Sequence, residues 1–467
     1  MSERTSGLRG SIGVAGIVFM VVAAAAPLTS IGGALPVMLS ISNGPGVPLA
    51  YAVVAVVLVV FSVGYAAMSR HVVDAGAFYA YVTRGLGRVP GLGAAGLALL
   101  TYTAIQAAIY GLASSTLQEL ITRYGGPGVP WWAPAVVLLV VVAALGYRNI
   151  EIGAKVLGAM LVLEIGVVAV LSVAILLQGG PQGYSTTSFS PATFFHGAPG
   201  VAVTFAVASF IGFEATAIYG EETRDPKRTI PLATYAAVLL IGGFYTFSSW
   251  TIVVAHGPGR VEAAATANTS GLVFDTAGDR LGPIFADTVG VLLLTSLFAA
   301  LLAFHNAIAR YLFALGRNGI APAALGTTHE RHESPHLASL AQTGTAVVVL
   351  GIFALAGADP VLNLFTWMSG LATVSILTLI LLTGLAILVF FARADVDTRW
   401  WNTRIAPALG LLGVLALTIL VLTNFTTLIS GSATVATTLL ATIPAAFALG
   451  AATTLTTKPH PTTSPTP

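Results

Sequence analysis

Ala23-Ala24-Ala25-Ala26-Pro27-Leu28-Thr29-Ser30-Ile31-Gly32-Gly33-Ala34-Leu35-Pro36 sets two prolines and a glycine pair in the middle of the first long apolar run of the chain. Proline removes a backbone donor and glycine loosens the helical ladder, so the stretch reads as an interrupted helix. The plainer reading is a kinked helix whose small residues allow close packing. A second stretch, Ser209-Phe210-Ile211-Gly212-Phe213-Glu214-Ala215-Thr216, puts another glycine beside a carboxylate well inside the sixth apolar run. Hydrocarbon tolerates freed backbone groups only where protein or water satisfies them. Two interruptions five spans apart therefore point to a midplane binding site, with free N–H groups for an anion and free C=O groups for a cation.

The rest of the composition supports a membrane setting. Of the 467 residues, 56% are hydrophobic and only 8% are charged, with a mean hydropathy of +0.89. A soluble domain carries roughly 25% charged residues, because its surface faces water. A soluble enzyme, a nucleic-acid binder and a disulfide scaffold are poor readings, and with no Cys there is no thiolate chemistry. The net charge of +2 says nothing about partners beyond the lipid bilayer itself.

A helix needs ~20 apolar residues to cross ~30 Å of hydrocarbon. Runs of that kind lie at roughly 13–40, 45–68, 92–119, 132–147, 154–178, 200–220, 230–255, 282–308, 337–357, 361–391, 405–429 and 432–453, which predicts twelve spans. With the N-terminus inside, only Arg123, Arg260 and Arg280 of the 20 Lys and Arg fall outside. That asymmetry places both termini in the cytoplasm of a multi-pass cell-membrane protein. The first run is too long for a signal-peptide core and is kept as a span. Residues 1–10 form a polar cytoplasmic lead, residues 11–453 one transmembrane domain, and the Pro/Thr-rich residues 454–467 a disordered cytoplasmic tail.

Three stretches carry a resemblance. Gly212-Phe213-Glu214 followed by Glu221-Glu222-Thr223-Arg224-Asp225-Pro226-Lys227-Arg228-Thr229-Ile230-Pro231 is one. Ala75-Gly76-Ala77-Phe78-Tyr79-Ala80-Tyr81-Val82-Thr83-Arg84-Gly85-Leu86-Gly87 and Arg310-Tyr311-Leu312-Phe313-Ala314-Leu315-Gly316-Arg317-Asn318-Gly319-Ile320-Ala321-Pro322 are the others. Together they resemble the permeases of the amino acid–polyamine–organocation (APC) superfamily over nearly the whole chain. The resemblance implies an all-α polytopic fold of two inverted five-helix repeats, about 13–178 and 200–391, with discontinuous helices 1 and 6 and two extra helices at about 405–453. It also implies a substrate held between the broken segments. The family's first-helix motif for a substrate carboxylate maps onto Leu28-Thr29-Ser30-Ile31-Gly32, where Leu28 replaces the first glycine. Thr29, Ser30, Ile31, Gly32 and Gly33 are the expected substrate contacts from span 1, and Phe210, Gly212, Phe213 and Glu214 those from span 6.

Charge at mid-bilayer costs at least ~2.5–3.5 kcal/mol on insertion scales, so each buried acid invites a function. Glu164, ten residues into span 5, stands where many relatives carry a Lys that takes the place of a sodium ion. Removal from water disfavours a charged carboxylate, so Glu164 suits proton loading. It equally suits Na⁺, a substrate ammonium group, or a hydrogen bond to the backbone of broken span 1. Glu214 can meet a substrate amine or cap orphan N–H groups of its own break. Glu221 and Glu222 are expected at the inner gate, with Arg70, Arg84 or Arg224 closing over them, or else in a solvated charge cluster. His305 reads as a packed imidazole, and the Trp131-Trp132 and Trp400-Trp401 pairs as interfacial anchors.

The sequence contains no phosphate-cradling glycine motif followed by Lys-Ser/Thr, and the spans hold no paired histidines at metal spacing and nothing that calls for a metal or cofactor. An enzyme is thereby the weakest reading. The leading one is a secondary active transporter of an amino acid or related organic amine, proton-coupled at Glu164 and working by alternating access. A polyamine, Na⁺-coupled or exchange transporter stays open, as does a non-transporting amino-acid sensor on a permease fold. Substrate identity, coupling ion, direction and oligomeric state do not follow from the sequence.

Overall fold

The computed structural model describes residues 13–72, 77–148, 154–214, 216, 223, 225–317, 319–329, 334–394 and 396–455. Among these residues the chain is helical throughout, with turns between the helices and no β-strand. Ten helices are long and apolar enough to cross a membrane: Val14–Ile41, Gly44–Ser69, Arg88–Arg123, Gly158–Gln178, Pro226–His256, Pro283–Arg317, His336–Leu355, Pro360–Arg393, Trp401–Thr423 and Ala433–Leu455. Two shorter apolar helices, Trp132–Tyr147 and Pro199–Ala208, take the positions of spans 4 and 6. The span numbers of the sequence reading therefore carry over.

Helix lengths exceed the apolar runs at several ends. The 36 residues of span 3 at 1.5 Å each would reach about 54 Å, well beyond ~30 Å of hydrocarbon. Hydropathy stops at the first polar residue, whereas the backbone ladder continues through it. Short helices that hydropathy does not mark also lie between the spans, among them Ala77–Leu86 between spans 2 and 3, and Val261–Ala267 and Leu272–Leu281 between spans 7 and 8.

Lipid is as apolar as the helices, so association rests on close packing through small residues. Spans 2 and 11 show this. A Cβ added at Gly64 would lie 2.7 Å from the Pro407 side chain, and one at Gly410 would lie 2.7 Å from the Phe61 backbone. Span 1 packs on span 7, and span 2 packs on spans 6, 7 and 11. Span 3 meets spans 4, 8, 10 and 12, while span 9 packs on spans 4 and 8. Large apolar side chains such as Val136, Val162, Leu239, Leu355 and Leu412 are left facing outward, as a lipid-facing surface requires.

Candidate functional site

Span 1 is helical over Val14–Ala24, breaks at Ala25 and Ala26, and resumes at Pro27. Ala26 takes a positive φ of 46°, a left-handed conformation that costs an L-residue roughly 1–2 kcal/mol. Pro27 explains why the helix restarts there, since its fixed φ suits a first turn whose N–H would be orphaned anyway. The expected contacts Thr29, Ser30, Ile31, Gly32 and Gly33 lie just after the break, in a wide π-type turn over Thr29–Ala34 that leads into Leu35–Ile41. Ser30, Ile31, Gly32 and Gly33 are buried, and Thr29 is half-buried.

The backbone groups freed by this break find partners from other spans. The Tyr245 hydroxyl of span 7 donates to the Ala25 carbonyl at 2.8 Å. Glu164, only 5% exposed, faces the Leu28 backbone N–H and the Ser296 side chain of span 8. Ser296 in turn lies 3.2 Å from the Thr29 hydroxyl. A span-5 carboxylate thus stands against the restart of span 1 on the side of span 8.

Span 6 is helical over Pro199–Ala208 and then passes through tight turns up to Glu214. Gly212 sits at φ 111°, a region open to glycine and strained for any side chain. The Gly212 N–H donates to Glu214 Oε2 at 2.9 Å, and the Tyr102 hydroxyl of span 3 donates to Oε1 at 3.0 Å. The Tyr65 hydroxyl of span 2 donates to the Glu214 carbonyl at 2.9 Å. Glu214 itself is 1% exposed. The two breaks touch, because a Cβ added at Gly212 would lie 3.3 Å from the Ala24 Cβ.

Phe210 and Phe213 flank Gly212 in sequence but pack in different places. Phe210 sits edge-on to Tyr245 at 6.0 Å, while Phe213 packs among Phe61, Tyr65 and Phe78 at 6.2–6.5 Å. Both rings are buried, whereas Gly212 is half-buried and Ala24 exposed. A groove of about 490 Å³ lined by Ala52, Ala55, Gly242, Gly243, Phe247 and Trp250 lies between spans 2 and 7, apart from these polar groups.

His305 is buried, with Nε2 2.8 Å from the Ser339 hydroxyl, and joins spans 8 and 9. Glu221, Glu222 and Arg224 lie outside the described residues, so the expected inner gate has no geometry here. Sequence reasoning missed Tyr65, Tyr102, Tyr245 and Ser296. A signal was available for the tyrosines: a phenol deep in an apolar run needs a partner for its hydroxyl, and a helix break supplies one.

Comparison with known proteins adds a family and relatives. A sequence model of the family described as Amino acid permease matches residues 16–456. The chain is 24% identical over 298 residues to the low-affinity putrescine importer PlaP of Escherichia coli K12, covering 62% of this chain and 63% of that protein. It is 27% identical over 328 residues to the aromatic amino acid transport protein AroP of Escherichia coli K12, covering 66% and 67%. It is 26% identical over 307 residues to the branched-chain amino acid permease BcaP of Lactococcus lactis, covering 62% and 64%. The chain thus spans a little under two thirds of the length of the putrescine importer and of BcaP.

Proposed function

The chain belongs to the amino acid permease family, and from that membership we propose that it carries an amino acid or related organic amine across the membrane as a secondary active transporter. The observation that carries this reading is the approach of two helix breaks to each other, so close that a Cβ added at Gly212 would lie 3.3 Å from the Ala24 Cβ. Backbone ends at a break bind a small polar solute without a dedicated charged side chain for every group. Thr29, Ser30, Gly32 and Gly33 from span 1, with Gly212 and Phe210 from span 6, are the residues we assign to the substrate.

Alternating access has a material basis in the packing. Spans 1, 2, 6 and 7 associate with one another, as do spans 3, 4, 8 and 9, and rocking of one group against the other would open each side in turn. The inverted repeat is supported by an exchange of tyrosines. Tyr65 of span 2 serves the break of span 6, and Tyr245 of span 7 serves the break of span 1. Spans 2 and 7 occupy the same place in the two proposed repeats.

Glu164 is the proposed coupling residue, with the proton as its ion. It lies on span 5, yet its partners are Leu28 on span 1 and Ser296 on span 8. Movement of the span-1 group against span 8 would change the surroundings of Glu164. A proton can shift the equilibrium between the two states only through different affinity for them, and the position of Glu164 between these groups supports such a difference.

Flux into proteoliposomes tests the function directly. Uptake of radiolabelled amino acids and of putrescine, driven by an inward pH gradient, should exceed that of empty vesicles for at least one class. Binding of a substrate without any flux or exchange would overturn the transporter reading in favour of a sensor.

A further inference from the structure

One cluster of charged side chains lies apart from the helix breaks assigned to the substrate and from Glu164. It lies where span 2 ends and spans 7 and 11 begin. Arg70, Lys227, Asp397 and Arg399 all act electrostatically on His71, which is drawn below the usual imidazole range chiefly by its partial burial. Asp397 is the acid of this group, and it is already engaged. It accepts from Arg399 Nε at 2.9 Å through Oδ1, and lies 2.5 Å from Arg399 Nη2 through Oδ2. The Arg399 hydrogen bonds hold the Asp397 carboxyl down, to about 2, so the pair stays ionised at neutral pH. Asp397 is spent on Arg399, and among the described residues neither Arg70 nor Lys227 makes an ion pair. Among the described residues, the buried Arg70 Nε has no hydrogen-bond partner.

The surroundings identify what would neutralise them. Span 2 is buried from Gly64 to Ser69 and surfaces again only at Arg70 and His71, in a recess between spans 7 and 11. Apolar side chains face outward just inside these cations: Leu232 on span 7, and Ile405 and Leu409 on span 11. Trp400 and Trp401 are exposed beside them, and the Arg404 guanidinium lies 4.8 Å from the Trp400 ring. Exposed indoles next to outward-facing aliphatic side chains mark the headgroup level of a bilayer. The cations therefore sit where a lipid phosphate lies, with hydrocarbon-facing surface directly below for its acyl chains. A free anion would gain nothing from that apolar surface.

We propose that Arg70 and Lys227 form a binding site for the phosphate of an anionic phospholipid, with its acyl chains running along Leu232 and Leu409. Such a lipid bridges span 2 and span 7 to the segment that leads into span 11. The assignment does not depend on the substrate or on the coupling ion.

Native mass spectrometry of the full-length chain in detergent, offered equal phosphatidylglycerol and phosphatidylcholine, tests the site. The native chain should retain phosphatidylglycerol in preference. The double variant Arg70→Ala/Lys227→Ala should lower that preference by about fivefold for each cation removed. Arg148→Ala, which removes an exposed cation after span 4, should leave it unchanged. A thermal shift of the native chain with phosphatidylglycerol, absent with phosphatidylcholine, gives a second readout that does not need the variant to fold. Equal retention of both lipids by the native chain would overturn the site. So would an equal loss in Arg148→Ala, which would reduce the effect to general surface charge. Displacement of phosphatidylglycerol by inorganic phosphate alone would assign the cluster to a soluble anion and overturn the lipid.

Discussion

At the restart of span 1 the Leu28 N–H meets Glu164 from span 5, whereas at the break of span 6 the Gly212 N–H meets Glu214, two residues further along the same segment. The carbonyl side is handled alike in both places, by a tyrosine hydroxyl from a neighbouring span. The difference lies in the carboxylates. Glu214 is a local cap that moves with its own break, although Tyr102 of span 3 also holds it. Glu164 comes from another span, and span 10, which the proposed repeat pairs with span 5, has no acidic residue. In the proposed repeat the tyrosines that serve the breaks correspond, and Glu164 has no counterpart. A group that departs from the symmetry and links separate spans is better placed to couple an ion than one that closes its own turn.

Exchanging each carboxylate for its amide is the strongest way to break this comparison. Glu164→Gln keeps the shape but carries no titratable proton, so accumulation driven by a pH gradient should be lost while some exchange remains. Glu214→Gln keeps an amide oxygen to accept from Gly212 and should retain most gradient-driven uptake. Full accumulation by Glu164→Gln, or its loss in Glu214→Gln alone, would reverse the assignment of roles.

The backbones of the two breaks give the next test. Gly212→Ala forces a side chain into φ 111° and should destabilise the chain by about 1–3 kcal/mol, read as a lower melting temperature in detergent. Ala26→Gly acts in the opposite direction. It releases the left-handed strain of roughly 1–2 kcal/mol at φ 46° and gives back part of that as unfolded-state entropy, so a small rise in melting temperature is expected. Equal responses at the two positions would show that neither conformation is maintained by its surroundings.

Tyr102→Phe has the smallest expected effect. It removes one hydrogen bond to Glu214, worth about 0.5–1.5 kcal/mol net, and leaves the Gly212 contact in place. Its melting temperature should fall by less than that of Gly212→Ala, and uptake should persist. A complete loss of uptake would make the span-3 contact, rather than the local turn, the main support of Glu214.

Much of the membrane architecture was legible in the residues. Hydropathy marks the spans because lipid offers no partner to a backbone and forces each crossing into a helix. Pro27 and Gly212 announce their breaks through local chemistry, since one cannot donate and the other accepts a φ that side chains resist. The proximity of Glu214 to Gly212 is likewise a matter of two residues. What the chain order could not reveal is which distant side chain answers each freed backbone group. Thr29 and Ser30 drew attention as break residues, but Ser296, Tyr65, Tyr102 and Tyr245 look like ordinary polar residues inside apolar runs. Their partners come from other spans, and helix packing alone decides which face meets which.

The sequence by itself determined the membrane setting, the number of spans, the two interruptions and the short set of buried acids, because each follows from composition or from the covalent limits of one residue. Tertiary structure alone decided that Glu164 stands against span 1 while Glu214 caps its own turn. Chain order sets only neighbours a few residues apart, and the packing of spans 1, 5 and 8 is what brings Leu28, Glu164 and Ser296 together.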